Sequence, residues 1–252
     1  MREEVVKAVQ AMQQSAARPF RLGFSPFVEN HVLHTVTQAY RDLFHRGEIE
    51  PESGDTEALI DRLRAGEIDA ALVTLPINLD GVMVQPVMHE KMVVCIRKDD
   101  TLAQQESLAP ELLTGQLGIF SDPRHHPRAH ARLLEMLQEQ GIAPRISNPT
   151  FNAEHVQWMV KERICLALIR EHEQLDEALT TRPIRNVNWT VDSAIVYRPG
   201  ASQMALPLLL RELERRFPVA SMQKPLRLDV HSKPEQGDLP FEAGSIKPVG
   251  KC

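Results

Sequence analysis

The chain lacks a surplus of positive charge. It has 29 Lys and Arg against 34 Asp and Glu, a net charge of −5. Holding a polyphosphate backbone needs clustered Lys and Arg, so direct nucleic-acid binding by these residues is disfavoured. Long apolar runs are also missing. The longest reach about five or six residues, far short of the ~20 that cross a bilayer, so no membrane partner is expected. No charged start followed by an apolar stretch and a small-residue cleavage site opens the chain, so no secretory signal is read. Cysteine is rare: three in 252 residues. Cys95 and Cys165 sit inside apolar runs, which is core usage in a reducing, cytoplasmic setting rather than a disulfide framework. Neither glycine-rich phosphate pattern occurs, nor a Gly-x-Ser-x-Gly elbow. An enzyme reading therefore has no catalytic residues to carry it, and no cofactor is expected.

What is present is an α/β alternation long enough for one or two domains with a real core. Residues 2–16 read as a short helix ended by Pro19. Phe20–Phe24 reads as a strand, followed by Ser25-Pro26, a good cap and first helical residue. Val28, Val32, Val36, Ala39, Tyr40 and Leu43 mark one face of the helix that follows, to about His45. A strand near 48–53, a helix over 55–65 closed by Gly66, and a strand over 68–73 come next. Three nearly continuous apolar runs, Ala70–Val73, Met92–Ile96 and Ile164–Ile169, have the character of strands covered on both faces. The opening pattern returns at Gln116–Phe120, Ser121-Asp122-Pro123 and a helix from about His125 to Gln140. A strand near 145–150, a helix over 152–162, the 164–169 strand, a helix near 171–178, a strand over 194–197 and a helix over 203–217 complete the reading. Residues 223–252 hold four Pro and three Gly and read as a loose tail.

Each half thus presents a helix start just beyond a strand end, where open α/β sheets bind ligands. A helix start offers unpaired N–H groups and partial positive charge. Two facing starts would cradle a small anion, most simply a carboxylate. The plainer reading, that Ser25 and Ser121 only cap their helices, is compatible with this. Thr56, early in the next helix, carries a hydroxyl that could donate to a bound acid, but the local sequence favours an Asp55 cap with Thr56 exposed. His126 and His130 are four apart, a spacing that suits a metal. No carboxylate completes a zinc pattern, so they are read as exposed helix-start histidines with no metal role. His31 and His34 are assigned to a solvated face or a subunit contact.

The tract Thr56-Glu57-Ala58-Leu59-Ile60-Asp61-Arg62-Leu63-Arg64-Ala65-Gly66-Glu67-Ile68-Asp69-Ala70-Ala71-Leu72-Val73 resembles the helix–Gly–strand segment of LysR-type transcriptional regulator effector domains. Arg21–Phe27 and the tract Val82–Asp100, read as a pair of strands, are similar to theirs as well. The resemblance covers roughly residues 19–217. It implies two Rossmann-like lobes joined by two crossover strands, as in type 2 periplasmic binding proteins. Residues 1–18 would be a linker-helix remnant, 19–97 with 194–222 lobe I, 98–193 lobe II and 223–252 an extended tail. By position, the resemblance puts effector contacts on Ser25, Phe27, Thr56 and Thr74 of lobe I, and on Ser121, Asp122 and Asn152 of lobe II. It also implies a bacterial, cytoplasmic homodimer or higher homo-oligomer. DNA would be reached only through a helix-turn-helix domain not present in this chain. The function implied is sensing of a small polar or anionic metabolite, passed on to subunit assembly. A solute receptor of a transporter, or an orphan dimerisation module without ligand, are the alternatives. Asp55 would repel an acidic effector unless a cation compensates. The peroxide-sensing branch needs two cysteines in lobe II, and between 98 and 193 there is only Cys165.

Overall fold

The computed structural model describes residues 18–150, 152–200 and 203–217. The expected linker helix over 2–16 and the tail over 223–252 lie outside the described residues. The elements in chain order are β1 (Phe20–Phe24), α1 (Asn30–Leu43), β2 (Ile49–Ser53), α2 (Thr56–Ala65), β3 (Ala70–Thr74) and β4 (Met83–Arg97). After them come β5 (Leu117–Ile119), α3 (Pro127–Glu139), β6 (Ile146–Ser147), α4 (Ala153–Lys161), β7 (Leu166–Arg170), β8 (Leu179–Arg182), β9 (Thr190–Tyr197) and α5 (Leu206–Arg216).

The strands form one continuous order, β2-β1-β3-β9-β4-β7-β5-β6, with β8 beside β4. In the first half β1 pairs in parallel with both β2 and β3. In the second half β5 pairs in parallel with β6 and β7. Parallel neighbours need crossover helices, and α1, α2, α3 and α4 supply them. Between the halves run β4 and β9, antiparallel to each other. β9 pairs with β3 through Ser193–Tyr197, while Met92–Arg97 of β4 pair with β7 and β8. These two strands are the crossovers that join the lobes.

The two-faced burial expected of the apolar runs is visible residue by residue. Successive side chains of a strand point to opposite faces. Ala70 and Leu72 pack with Phe20, Val36, Tyr40 and Leu209 beneath α1 and α5. Ala71 and Val73 pack on the other face with Leu59, Ile60 and Leu63 of α2. On the lobe II side of the sheet, Val94 and Ile96 of β4 join Leu117 and Leu137, whereas Cys95 joins Val156, Val160 and Ala167. Each fully buried Leu or Ile contributes roughly 2 kcal/mol. α2 ends where Gly66 turns left-handed (φ 77°), its N–H returning to the Arg62 and Leu63 carbonyls. Gly23 lets α2 approach β1, since a Cβ there would stand 2.7 Å from Leu59 Cδ2.

Several local expectations are corrected. Ser25 does not cap a helix. Its N–H bonds the Leu72 carbonyl at 2.9 Å, prolonging the β1–β3 pairing, and α1 begins only at Asn30 with Glu29 before it. Ser121 likewise precedes a turn, and α3 starts at Pro127 after His126. The tract 82–100 holds one fifteen-residue strand, bent by a register shift between Pro86 and Met88, not two strands. Residues 171–178 form no helix, and the short strand β8 follows them.

Candidate functional site

A cavity of about 420 Å³ opens between the lobes. One wall is the turn Pro26–Asn30 at the start of α1 together with Thr74–Pro76 beyond β3. The other comprises Ser121, Asp122 and His126 at the start of α3, and Thr150 and Ala153 at the start of α4. Met92 of β4 and Thr190 of β9 also border it. Leu117, Met136, Leu137 and Leu168 border it from the core side of lobe II. The volume and the mostly apolar lining suit a small organic molecule.

Side chains from lobe II reach across to backbone and carboxylates of lobe I. His126, 3% exposed, donates from Nε2 to the Thr74 carbonyl at 2.7 Å, and its ring lies 5.9 Å from that of Phe27. His125 Nδ1 is 2.7 Å from Asp55 Oδ1, and Arg128 Nε is 3.4 Å from Glu57 Oε1. Arg170, at the end of β7, donates from Nη2 to the Phe27 carbonyl at 2.5 Å, pairs through Nη1 with Glu29, and holds Nε 3.3 Å from Glu90. The lobes are thus strapped on both sides of the cavity. The charge at Asp55 is met by a histidine that no neighbouring stretch of sequence announces.

The expected contact residues divide into two groups. Phe27, Thr74, Ser121 and Asp122 border the cavity. Ser25 and Thr56 are fully buried outside its lining, with Thr56 Oγ1 donating to Ser25 Oγ at 3.3 Å. Asn152 caps α4, accepting from His155 N–H at 3.1 Å, and also stands outside the lining. Thr74 Oγ1 donates to the Phe27 carbonyl at 3.2 Å, and Ser121 Oγ lies 2.8 Å from His130 Nδ1. His126 and His130 therefore serve separate partners. Sequence reasoning missed Arg170 and Glu173. The available signal was an arginine closing a buried apolar strand, which calls for partners of opposite charge.

The LysR substrate binding domain family model matches residues 13–218. The chain belongs to this family. Among curated relatives it is 27% identical over 139 residues to a probable hydrogen peroxide-inducible genes activator of Streptomyces viridosporus, covering 55% of this chain and 44% of that protein. It is 23% identical over 193 residues to the hydrogen peroxide-inducible genes activator of Haemophilus influenzae, covering 73% of this chain and 62% of that one. The chain spans about half the length of the curated relatives it matches. Its fold is that of the BenM effector binding domain solved with its effector benzoate (TM-score 0.68, 18% identity, 82% of this chain and 95% of that one). It is also that of the reduced OxyR regulatory domain from Pseudomonas aeruginosa (TM-score 0.63, 19% identity, 80% and 99%).

In this LysR domain the charges at the cavity are unevenly distributed. Arg124 donates to both oxygens of Asp122 and holds that carboxyl at about 2. Arg132 turns outward to Glu135 and Glu139, 3.2 Å from each. Burial lowers the His126 pKa, with its bond to Thr74 and the charge of Glu57 acting the other way. Burial raises Glu173, and the neighbouring carboxylates of Glu29 and Glu90 raise it further against the pull of Arg170. Burial pushes the Cys95 thiol up to about 12 and raises that of Cys165. The two sulfurs belong to one apolar cluster, because Cys95 on β4 faces the same side as Ala167 and its near neighbour Cys165. Among the described residues no group of three metal-ligating side chains gathers. No helix among them is long and apolar enough to cross a membrane.

Proposed function

We propose that this LysR domain senses a small metabolite held in the interlobe cavity. The cavity walled by both lobes carries the reading, because a ligand there touches residues whose separation depends on the lobe angle. A ligand shifts that angle only by its differential affinity for the two arrangements. The described residues of 19–97 and 194–222 would move as one body and those of 98–193 as the other, with β4 and β9 bending between them. In a cytoplasmic regulator the movement would alter how homo-oligomers assemble and so reposition DNA-binding units on partner segments. No chemical step is needed.

The test is a thermal-shift screen of amines, carboxylates and aromatic compounds against the chain and Ala129→Trp, which fills the cavity from α3. A binder at 100 times its Kd stabilises by about 2.7 kcal/mol. The gain should vanish in the filled variant. Silence from the whole panel would sink the sensing role.

A second reading, a peroxide response, is favoured by the relatives' names and by the shared cluster of Cys95 and Cys165. It needs a thiolate, since that is the attacking species. Burial opposes it at both sulfurs. Intact-mass measurement after brief peroxide exposure separates the readings: the effector reading expects both thiols unchanged, and rapid formation of a Cys95–Cys165 disulfide would favour the other.

A further inference from the structure

Resting on the effector reading, the polar groups that border the cavity specify the sign of the ligand. Three helix starts border it, and two of them have an acidic residue beside them: Glu29 at α1 and Glu154 in the first turn of α4. The partial positive charge of a helix start, about half an elementary charge and screened within a turn, is thereby offset at those two. The cationic side chains of the lining are committed too. Arg170 gives its guanidinium to Glu29, the Phe27 carbonyl and Glu90, while Arg132 is drawn away to Glu135 and Glu139. Around Arg170 three carboxylates, Glu29, Glu90 and Glu173, face one guanidinium. His31 and His172 stand at longer range from Glu90.

Of the charged side chains on the walls, the one that makes no hydrogen bond among the described residues is an acid. Glu173 borders the cavity, and its carboxylate receives no hydrogen bond among the described residues. His126 must carry a proton on Nε2, because the Thr74 carbonyl can only accept. Its Nδ1 is then a buried lone pair with no partner among the described residues. An unmet buried acceptor is costly, and since this one has no exposed surface, a ligand donor would reach it only if the joint between the lobes rearranged.

We propose that the cavity takes a cation: a small molecule with an apolar body and an ammonium or amidinium end lodged against Glu173 and Glu29. A carboxylate in that place would meet the like charges of Glu173 and Glu29, with the Arg170 guanidinium already paired. This is the opposite sign from the one that bare helix starts suggest.

The experiment compares probes of one shape and different charge on the full 252-residue chain: benzylamine and benzamidine as cations, benzyl alcohol as the neutral body, benzoate as the anion. Isothermal titration should give at least one of the cations a Kd tenfold or more below that of benzyl alcohol, with benzoate weakest. Glu173→Gln should erase most of the cation's advantage while leaving benzyl alcohol within about twofold, which also shows that the variant is folded. Benzoate binding as tightly as the cations, and lost in Ala129→Trp, would overturn the charge assignment and keep the cavity as a sensor. A cation advantage untouched by Glu173→Gln would overturn it as well. Absence of binding by all four probes would overturn both the assignment and the effector reading.

Discussion

The two walls of the cavity are built differently. On the lobe I side the hydroxyls expected to touch a ligand are spent internally: Thr56 on Ser25, and Thr74 on the Phe27 carbonyl. Behind them β1 and β3 are packed on both faces, and Leu72 at the centre is fully buried. On the lobe II side the cavity is bordered by Leu117 and Leu137, which are core residues of that lobe. Lobe I therefore meets the cavity as a packed plate, and lobe II as a shell of core side chains that borders it directly. The difference teaches where a ligand's binding energy is felt. A molecule in the cavity completes lobe II and merely rests on lobe I.

The largest effects should separate the two cores. Leu72→Ala leaves a void among side chains that cannot collapse, and should cost about 3 kcal/mol. That corresponds to a drop in Tm on the order of 10 °C for a domain of this size. Leu137 is equally buried but borders the cavity, so the void left by Leu137→Ala joins an existing space, and about 2 kcal/mol is expected. Calorimetry gives both numbers. The sharper readout is ligand response: Leu72→Ala should leave the Kd of a cavity ligand within about twofold, while Leu137→Ala should change it. Equal losses, with neither or both affecting binding, would break the contrast between the lobes.

The straps come next. Arg170→Met removes the guanidinium that joins β7 to Glu29 and the Phe27 carbonyl, and leaves Glu90 without its nearest cation. Breaking a buried pair costs about 3–5 kcal/mol, but Arg170 and Glu29 keep a fifth to a quarter of their surface in water, so about 1–2 kcal/mol is expected. Small-angle scattering should show a larger radius of gyration in the variant without ligand. An unchanged radius together with unchanged stability would mean that lobe closure does not depend on this strap.

The sequence revealed the plate more fully than the shell. The stretch from Thr56 to Thr74 was legible almost to the residue because its signals are local. Asp55 precedes the helix, Gly66 turns left-handed after it, and the apolar run declares a strand covered on both faces. Ser25-Pro26 misled, because the same two residues suit a helix start and a strand continued by one bond to Leu72. β8 was missed because Leu-Thr-Thr-Arg alternates weakly, and residues 171–178 looked helical only from their Glu and Leu content. The site was least legible. His126 and Arg170 bond to the carbonyls of Thr74 and Phe27, which lie 52 and 143 residues away along the chain. A backbone carbonyl carries no residue-type signature, so no spacing rule registers such a partner.

The smallest effect expected is a pH dependence, and it probes the contact by which the shell touches the plate. Burial lowers the His126 pKa in the folded protein below the ordinary histidine value near 6.5. In the unfolded chain the ring therefore takes up a proton first as pH falls. Protons bound preferentially by the unfolded state make stability rise with pH, so the contribution is fully present above about pH 6.5 and is lost as pH falls from there toward the lower folded value. A single group changes stability by at most about 1.4 kcal/mol per pH unit over that window. The Tm should thus fall between about pH 7 and pH 5. His126→Asn should flatten part of that slope, and His34→Asn, on the exposed face of α1, should leave it unchanged. A slope identical in all three proteins would mean that the histidine wedged between Phe27 and Thr74 does not sense protons. The joint between the lobes would then rest on Arg170 and its carboxylates alone.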